Sequence, residues 1–148
     1  MIYIFGANCK KCLIMKKITF LFMIALMWLS ASAGDLVIRN GSYNVAARFD
    51  GNIVRNGSYN IVARIDDNNV RDGSYNIVLR FDGNTVRDGS YNIVARIDGD
   101  VIRNGNYNIV GRIDGKNLRD GNYNIVARSD ENITARQAVI LLLVVGVK

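Results

Sequence analysis

Histidine is absent from this sequence, and the only cysteines, Cys9 and Cys12, stand in a C-K-K-C motif near its start. Beyond that motif the common nucleophile–base pairs and the soft-ligand metal sites have no residues to be built from. A C-x-x-C pair serves a redox centre in a βαβ setting, or zinc when a second ligand pair is present, and the sequence offers neither. No apolar run reaches the roughly 20 residues of a membrane-spanning helix. After Gly34 no helical period is found.

The start of the chain accounts for the cysteines. From Met15 the sequence reads MKKITFLFMIALMWLSASAG, with Lys16 and Lys17 as a charged n-region, an apolar run from Ile18 to Leu29, and Ala31-Ser32-Ala33 as a small-residue cleavage site. We therefore read 15–33 as a signal peptide, 1–14 as an upstream extension from an early start site, and 34–148 as a single domain. With no cysteine at the cleavage site, a lipid anchor is not expected. Losing the leader removes Lys10, Lys11, Lys16 and Lys17, leaving fifteen basic against thirteen acidic residues, a net charge of +2 rather than +6. The remaining arginines alternate with aspartates instead of forming a basic block, which argues against nucleic acid as a partner.

What the rest of the chain has is repetition. Tyr43, Tyr59, Tyr75, Tyr91, Tyr107 and Tyr123 follow one another at intervals of sixteen residues without insertion or deletion, the mark of a repeat architecture. Each unit holds an aliphatic-Arg element such as Val54-Arg55, an Asn-Gly or Asp-Gly turn such as Asn56-Gly57, and then Tyr-Asn-Ile-Val-x-Arg-x-Asp with a second turn such as Asp82-Gly83. Both turn types tolerate positive φ in tight hairpins, so we assign that role to the Asn-Gly and Asp-Gly pairs. Strands of about three to seven residues remain between turns, and alternation predicts Tyr59, Ile61, Ala63 and Ile65 on one face with Asn60, Val62, Arg64 and Asp66 on the other.

One unit cannot fold alone. Its four or five apolar side chains contribute roughly 1.5–3 kcal/mol each when buried, whereas ordering sixteen residues costs about 1.5 kcal/mol per residue. The units must share a core, and closing the array into a ring removes the strand edges that an open stack would expose. The expected fold is all-β: a closed array of short hairpins around an axis, five or six petals, sealed by a C-terminal strand over the apolar run Ala138–Val147.

These residues resemble the small secreted bacterial proteins called five-fold β-flower proteins. The resemblance rests on the signal peptide, on tandem units such as VRDGSYNIVARIDGDV at Val86–Val101, and on a closing Arg136 followed by alanine and a bulky apolar run to Val147. It covers nearly all of the mature chain and implies one domain of β-hairpins arranged as petals, in exported proteins of unknown function. Gly-Ser-Tyr-Asn or Gly-Asn-Tyr-Asn here replaces the Ser-Ser-Gly-like turn usual in that family.

No constellation of residues points to a reaction. The repeated Asp50, Asp66, Asp82, Asp98, Asp114 and Asp130 sit at turns in equal surroundings, whereas paired catalytic carboxylates need unlike ones. Calcium-loop spacing is not met, no cofactor or metal is called for, and the sequons at Asn40, Asn56 and Asn132 are read as coincidental in tight turns. Two arginines per unit, such as Arg55 and Arg64, would form rings, either a lattice paired with aspartates of neighbouring units or an anion-binding ring.

The tyrosines Tyr43, Tyr59, Tyr75, Tyr91, Tyr107 and Tyr123 form a candidate ring that is either packed in the core with hydroxyls at a polar rim or exposed to a ligand. In the second case Asn44, Asn60, Asn76, Asn92, Asn108 and Asn124 would be polar partners for sugar hydroxyls. The expected function is a bacterial, exported (periplasmic or secreted), non-enzymatic binding or envelope-associated module. A glycan or envelope component is its expected partner, with no stable membrane span, as a monomer or weak oligomer. The alternative is a fibre-forming repeat protein.

Overall fold

In the computed structural model, which describes residues 35–148, every sixteen-residue unit contributes two short antiparallel strands. In chain order these are β1 (Leu36–Asn40), β2 (Val45–Asp50), β3 (Ile53–Asn56), β4 (Ile61–Asp66), β5 (Asn69–Arg71), β6 (Ile77–Asp82), β7 (Thr85–Asp88), β8 (Ile93–Asp98), β9 (Val101–Asn104), β10 (Ile109–Asp114), β11 (Asn117–Arg119) and β12 (Ile125–Ser129). The segments read as an upstream extension and a signal peptide lie outside the described residues. Each strand pairs with its sequence neighbours, and β1 pairs with β12 through Ile38–Ser129, Arg39–Arg128 and Asn40–Ala127. The sheet thereby closes into a twelve-stranded barrel of six hairpin units, the closed array expected, with the petal number settled at six. Closure pairs both end strands, so the barrel offers no edge for a further strand.

All six units carry the same irregularity. The register shifts between Ile38 and Arg39, Val54 and Arg55, Val70 and Arg71, Val86 and Arg87, Leu118 and Arg119, and between Ile109 and Gly111. A β-bulge bends its strand and raises the local twist. Six equivalent bulges curve a wall made of strands only three to six residues long.

The C-terminal run is not a strand. Residues Ala135–Ile140 form helix α1, followed by a π-helical turn at Leu141–Val145, and Ala138, Val139, Ile140 and Leu141 are wholly buried. Two physical reasons override the strand expectation. A closed barrel has no free edge to accept a strand, whereas a helix satisfies its own backbone and can enter a lumen. The helix also has a start signal: Thr134 accepts from the Gln137 amide while the Gln137 side chain accepts from the Thr134 amide, a capping box written in the sequence as T-A-R-Q.

The helix starts beside the second set of turns, among them Asp66-Asp67 and Asp114-Gly115, where β12 ends. Ile133 N–H donates to Gly115 O (2.9 Å), and Arg136 donates to the Asp67 carbonyl while its guanidinium lies 4.6 Å from the centroid of the Phe81 ring. The chain then runs towards the other end of the barrel, where Leu142 meets Gly111. Gly111 stands where the other units have Ala47, Ala63, Leu79, Ala95 and Ala127. A Cβ there would sit 2.6 Å from Leu142 Cδ1, so the missing side chain makes room for the plug. Phe49 and Phe81, buried where the other units have half-buried Ile65, Ile97, Ile113 and Ser129, belong to the same core cluster as the plug. Among the described residues no helix is long and apolar enough to cross a membrane.

Candidate functional site: a ring of tyrosine turns

Because the strands alternate in direction, all six Asn-Gly and Asp-Gly turns lie at one end of the barrel and the second set of turns at the other. At the first end the loop has three residues. In the second unit Tyr59 N–H donates to Asn56 O (3.0 Å), Asn56 N–H donates to Asn60 O (2.9 Å), and Tyr59 takes φ of +64°. This is a type I turn closed by a left-handed residue. The Asn56 side chain adds bonds from Ser58 N–H and Asn60 N–H, both 3.0 Å. The other five turns repeat the arrangement, with tyrosine φ between +66° and +69°.

The left-handed residue is therefore tyrosine, not glycine as the turn pairs led us to expect. The turn glycine is required for a different reason: the backbone of the preceding unit comes so close that a Cβ on Gly57 or Gly89 would stand 2.5 Å from Val45 O or Ile77 O. The tyrosines are also not in the core. They are 60–65% exposed, because the left-handed turn and the bulge that follows break the alternation that would have put Tyr59 on the face of Ala63.

Each tyrosine lies against an arginine of the preceding unit. The guanidinium carbons of Arg48, Arg64, Arg80, Arg96 and Arg112 lie 4.1–4.5 Å from the ring centroids of Tyr59, Tyr75, Tyr91, Tyr107 and Tyr123, and Arg128 closes the circle over Tyr43 at 4.5 Å. Sequence reading foresaw two arginine rings but missed this pairing, whose only trace is a constant Arg-to-Tyr spacing of eleven residues. The second ring behaves as a lattice: Arg71, Arg87, Arg103 and Arg119 pair with Asp66, Asp82, Asp98 and Asp114 of the preceding unit at 3.0–3.9 Å. Arg55, Arg71, Arg87, Arg103 and Arg119 also hold the carbonyl of the tyrosine in their own unit at 3.1–3.2 Å. Every tyrosine is thus gripped from the neighbouring unit by its ring, and five of them from their own unit by the backbone.

Between these groups the outer wall forms a shallow groove, seen in three units. One is lined by Asn52, Arg64, Asp66, Arg71 and Tyr75, and its counterparts lie at Arg96 with Tyr107 and at Arg112 with Tyr123. Among the described residues no group of three or more potential metal ligands comes together.

Three turns begin with aspartate in place of asparagine, and there the carboxylate titrates low. The side-chain amides of Asn76, Asn92 and Asn124 donate to Asp72, Asp88 and Asp120 and hold them below the usual carboxylate range, against some desolvation, with help from backbone N–H groups. A depressed folded-state pKa adds stability above the unfolded value, near pH 4, and this is lost as the pH falls further through the folded value. Replacing the three aspartates with asparagine should therefore flatten the fall in stability below about pH 4, read from urea midpoints across a pH series. An unchanged acid limb would show that these turns do not contribute.

No protein-family model matches the chain, and no curated protein and no solved structure is significantly similar to it. The functional reading stands on the geometry of the rim.

Proposed function

We propose that the protein is an exported, non-enzymatic binding module of β-flower type whose six tyrosine turns hold saccharide. One observation carries the reading: six tyrosines on one rim keep a left-handed conformation and remain largely exposed. That conformation costs a non-glycine residue about 1–2 kcal/mol, and the arginine stack returns only about 0.5–1 kcal/mol at an exposed site. At the opposite rim the positive-φ positions are held by Gly51, Gly83, Gly99, Gly115 and Asp67, none of them aromatic. Tyrosine in all six copies is better explained by what its ring touches than by the turn it makes.

An aromatic face beside amide and hydroxyl groups suits the C–H face and the hydroxyls of a pyranose. Six like sites, each weak, gain strength together on a repeating ligand. Tyr→Gly at Tyr59, Tyr91 and Tyr123 relieves the backbone strain while removing the rings, so the variant should fold with a near-native melting point. On a glycan array the unaltered chain should bind a saccharide class and the variant should lose it. An array on which the folded chain retains no saccharide would sink the proposal.

A further inference from the structure

The two arginine rings are not in the same electrostatic state. Every ion pair among the described residues uses the ring of Arg71, Arg87, Arg103 and Arg119. The tyrosine-stacked ring of Arg48, Arg64, Arg80, Arg96, Arg112 and Arg128 pairs with no carboxylate among the described residues. Three of its members donate to a glycine carbonyl of the next turn, Arg64 to Gly73 (3.1 Å), Arg96 to Gly105 (2.8 Å) and Arg128 to Gly41 (3.0 Å). Arg48, Arg80 and Arg112 each keep a shielded guanidinium nitrogen that finds no acceptor among the described residues. A carbonyl or a tyrosine face orients a guanidinium but does not neutralise it.

The groove beside Arg96 shows the consequence. Its volume is about 280 Å³, and Asn84, Arg96, Asp98, Arg103 and Tyr107 line it. Asp98 pairs with Arg103 at 3.6 Å, which leaves the charge of Arg96 beside an exposed aromatic ring. The turn above it begins with Asn104, so no turn carboxylate offsets that charge. In the Arg64 groove Asp72 lies within electrostatic reach of the guanidinium, and in the Arg112 groove Asp100 stands where Asn84 does. The excess positive charge therefore differs from groove to groove and, of these three, is best developed at Arg96.

From this we infer that the saccharide is acidic, a polymer bearing carboxylates on its sugar rings. This rests on the saccharide reading and deepens it. The tyrosine face takes the ring, and the stacked arginine, already flat and held in place, offers paired donors to the carboxylate. Successive grooves around the wall take successive residues of the polymer or several chains at once.

The matched probes are polygalacturonate and its fully methyl-esterified form, which keeps the sugar backbone but replaces each carboxylate with a neutral ester, with polyglutamate as a polyanion without sugar rings. In affinity electrophoresis the full chain should be retarded by polygalacturonate, and by the ester and polyglutamate at least tenfold less. Added salt should weaken the retardation. Asn84→Asp, which installs at the Arg96 groove the residue the fold already accepts as Asp100, should weaken binding roughly threefold without altering the melting point. Equal binding of acid and ester would overturn the acidic inference and leave the saccharide reading standing. Equal binding of polyglutamate and polygalacturonate would overturn both. Retardation by none of the three would overturn the acidic inference, and the glycan array then decides the saccharide reading alone.

Discussion

Ending the chain after Thr134 is expected to leave a protein with no cooperative unfolding transition. The removed segment supplies Val139, Ile140 and Leu141, all at zero exposure, together with Ala138 and the nearly buried Val147. Burial of the three larger side chains is worth roughly 1.5–3 kcal/mol each, a sum comparable with the whole stability of a small domain, about 5–15 kcal/mol. Their loss would also empty the lumen, and the wall of short strands cannot collapse onto that space without breaking the β1–β12 pairing. Far-ultraviolet circular dichroism during heating, with a dye that reports exposed apolar surface, checks this. Dye binding without a sharp melt is the expected result, and a melt close to that of the full chain would show that the barrel stands without its plug. The single change Leu141→Ala should cost about 2–5 kcal/mol by the same reasoning.

Two glycines at opposite ends of β7 should respond very differently to substitution. Gly89→Ala places a Cβ 2.5 Å from Ile77 O, a backbone atom held in the bulge of the preceding unit, so relief requires one petal to move away from the next. A loss of about 2–3 kcal/mol or more is expected. Gly83→Asp meets open space despite its φ of +57°, and Asp67 already occupies the equivalent position with φ of +47°. Its cost should stay within about 1 kcal/mol, since aspartate is among the residues that tolerate this region. Urea midpoints of the two variants decide the matter. The reverse order would mean that the tyrosine-rim glycine serves backbone freedom rather than close approach.

The pairing of Arg128 with Tyr43 shows where reading along the chain stops. Five arginine–tyrosine stacks join residues eleven apart, but the sixth joins the last unit to the first and exists only because the barrel closes. The same limit applies to the tyrosine site. A strict two-residue alternation assigns Tyr59 to the face of Ala63, and it fails because a bulge and a left-handed turn, each a local departure from the strand, lie between them. The helix was legible in part, since Thr134 and Gln137 form the box that starts it, while the apolar run after Ala138 has the same composition in a buried strand and in a buried helix.

By itself, then, the sequence determined the sixteen-residue unit, its two turns, its short strands, and the need for units to share a core and close, because these depend on local turn chemistry and on a burial balance that one unit cannot meet. The tertiary structure alone decided that there are six petals, that the apolar tail enters the lumen as a helix, and that the tyrosines face solvent on stacked arginines. Each of these depends on which backbone edges remain free and which unit stands beside which, and those relations arise only when the ring has closed.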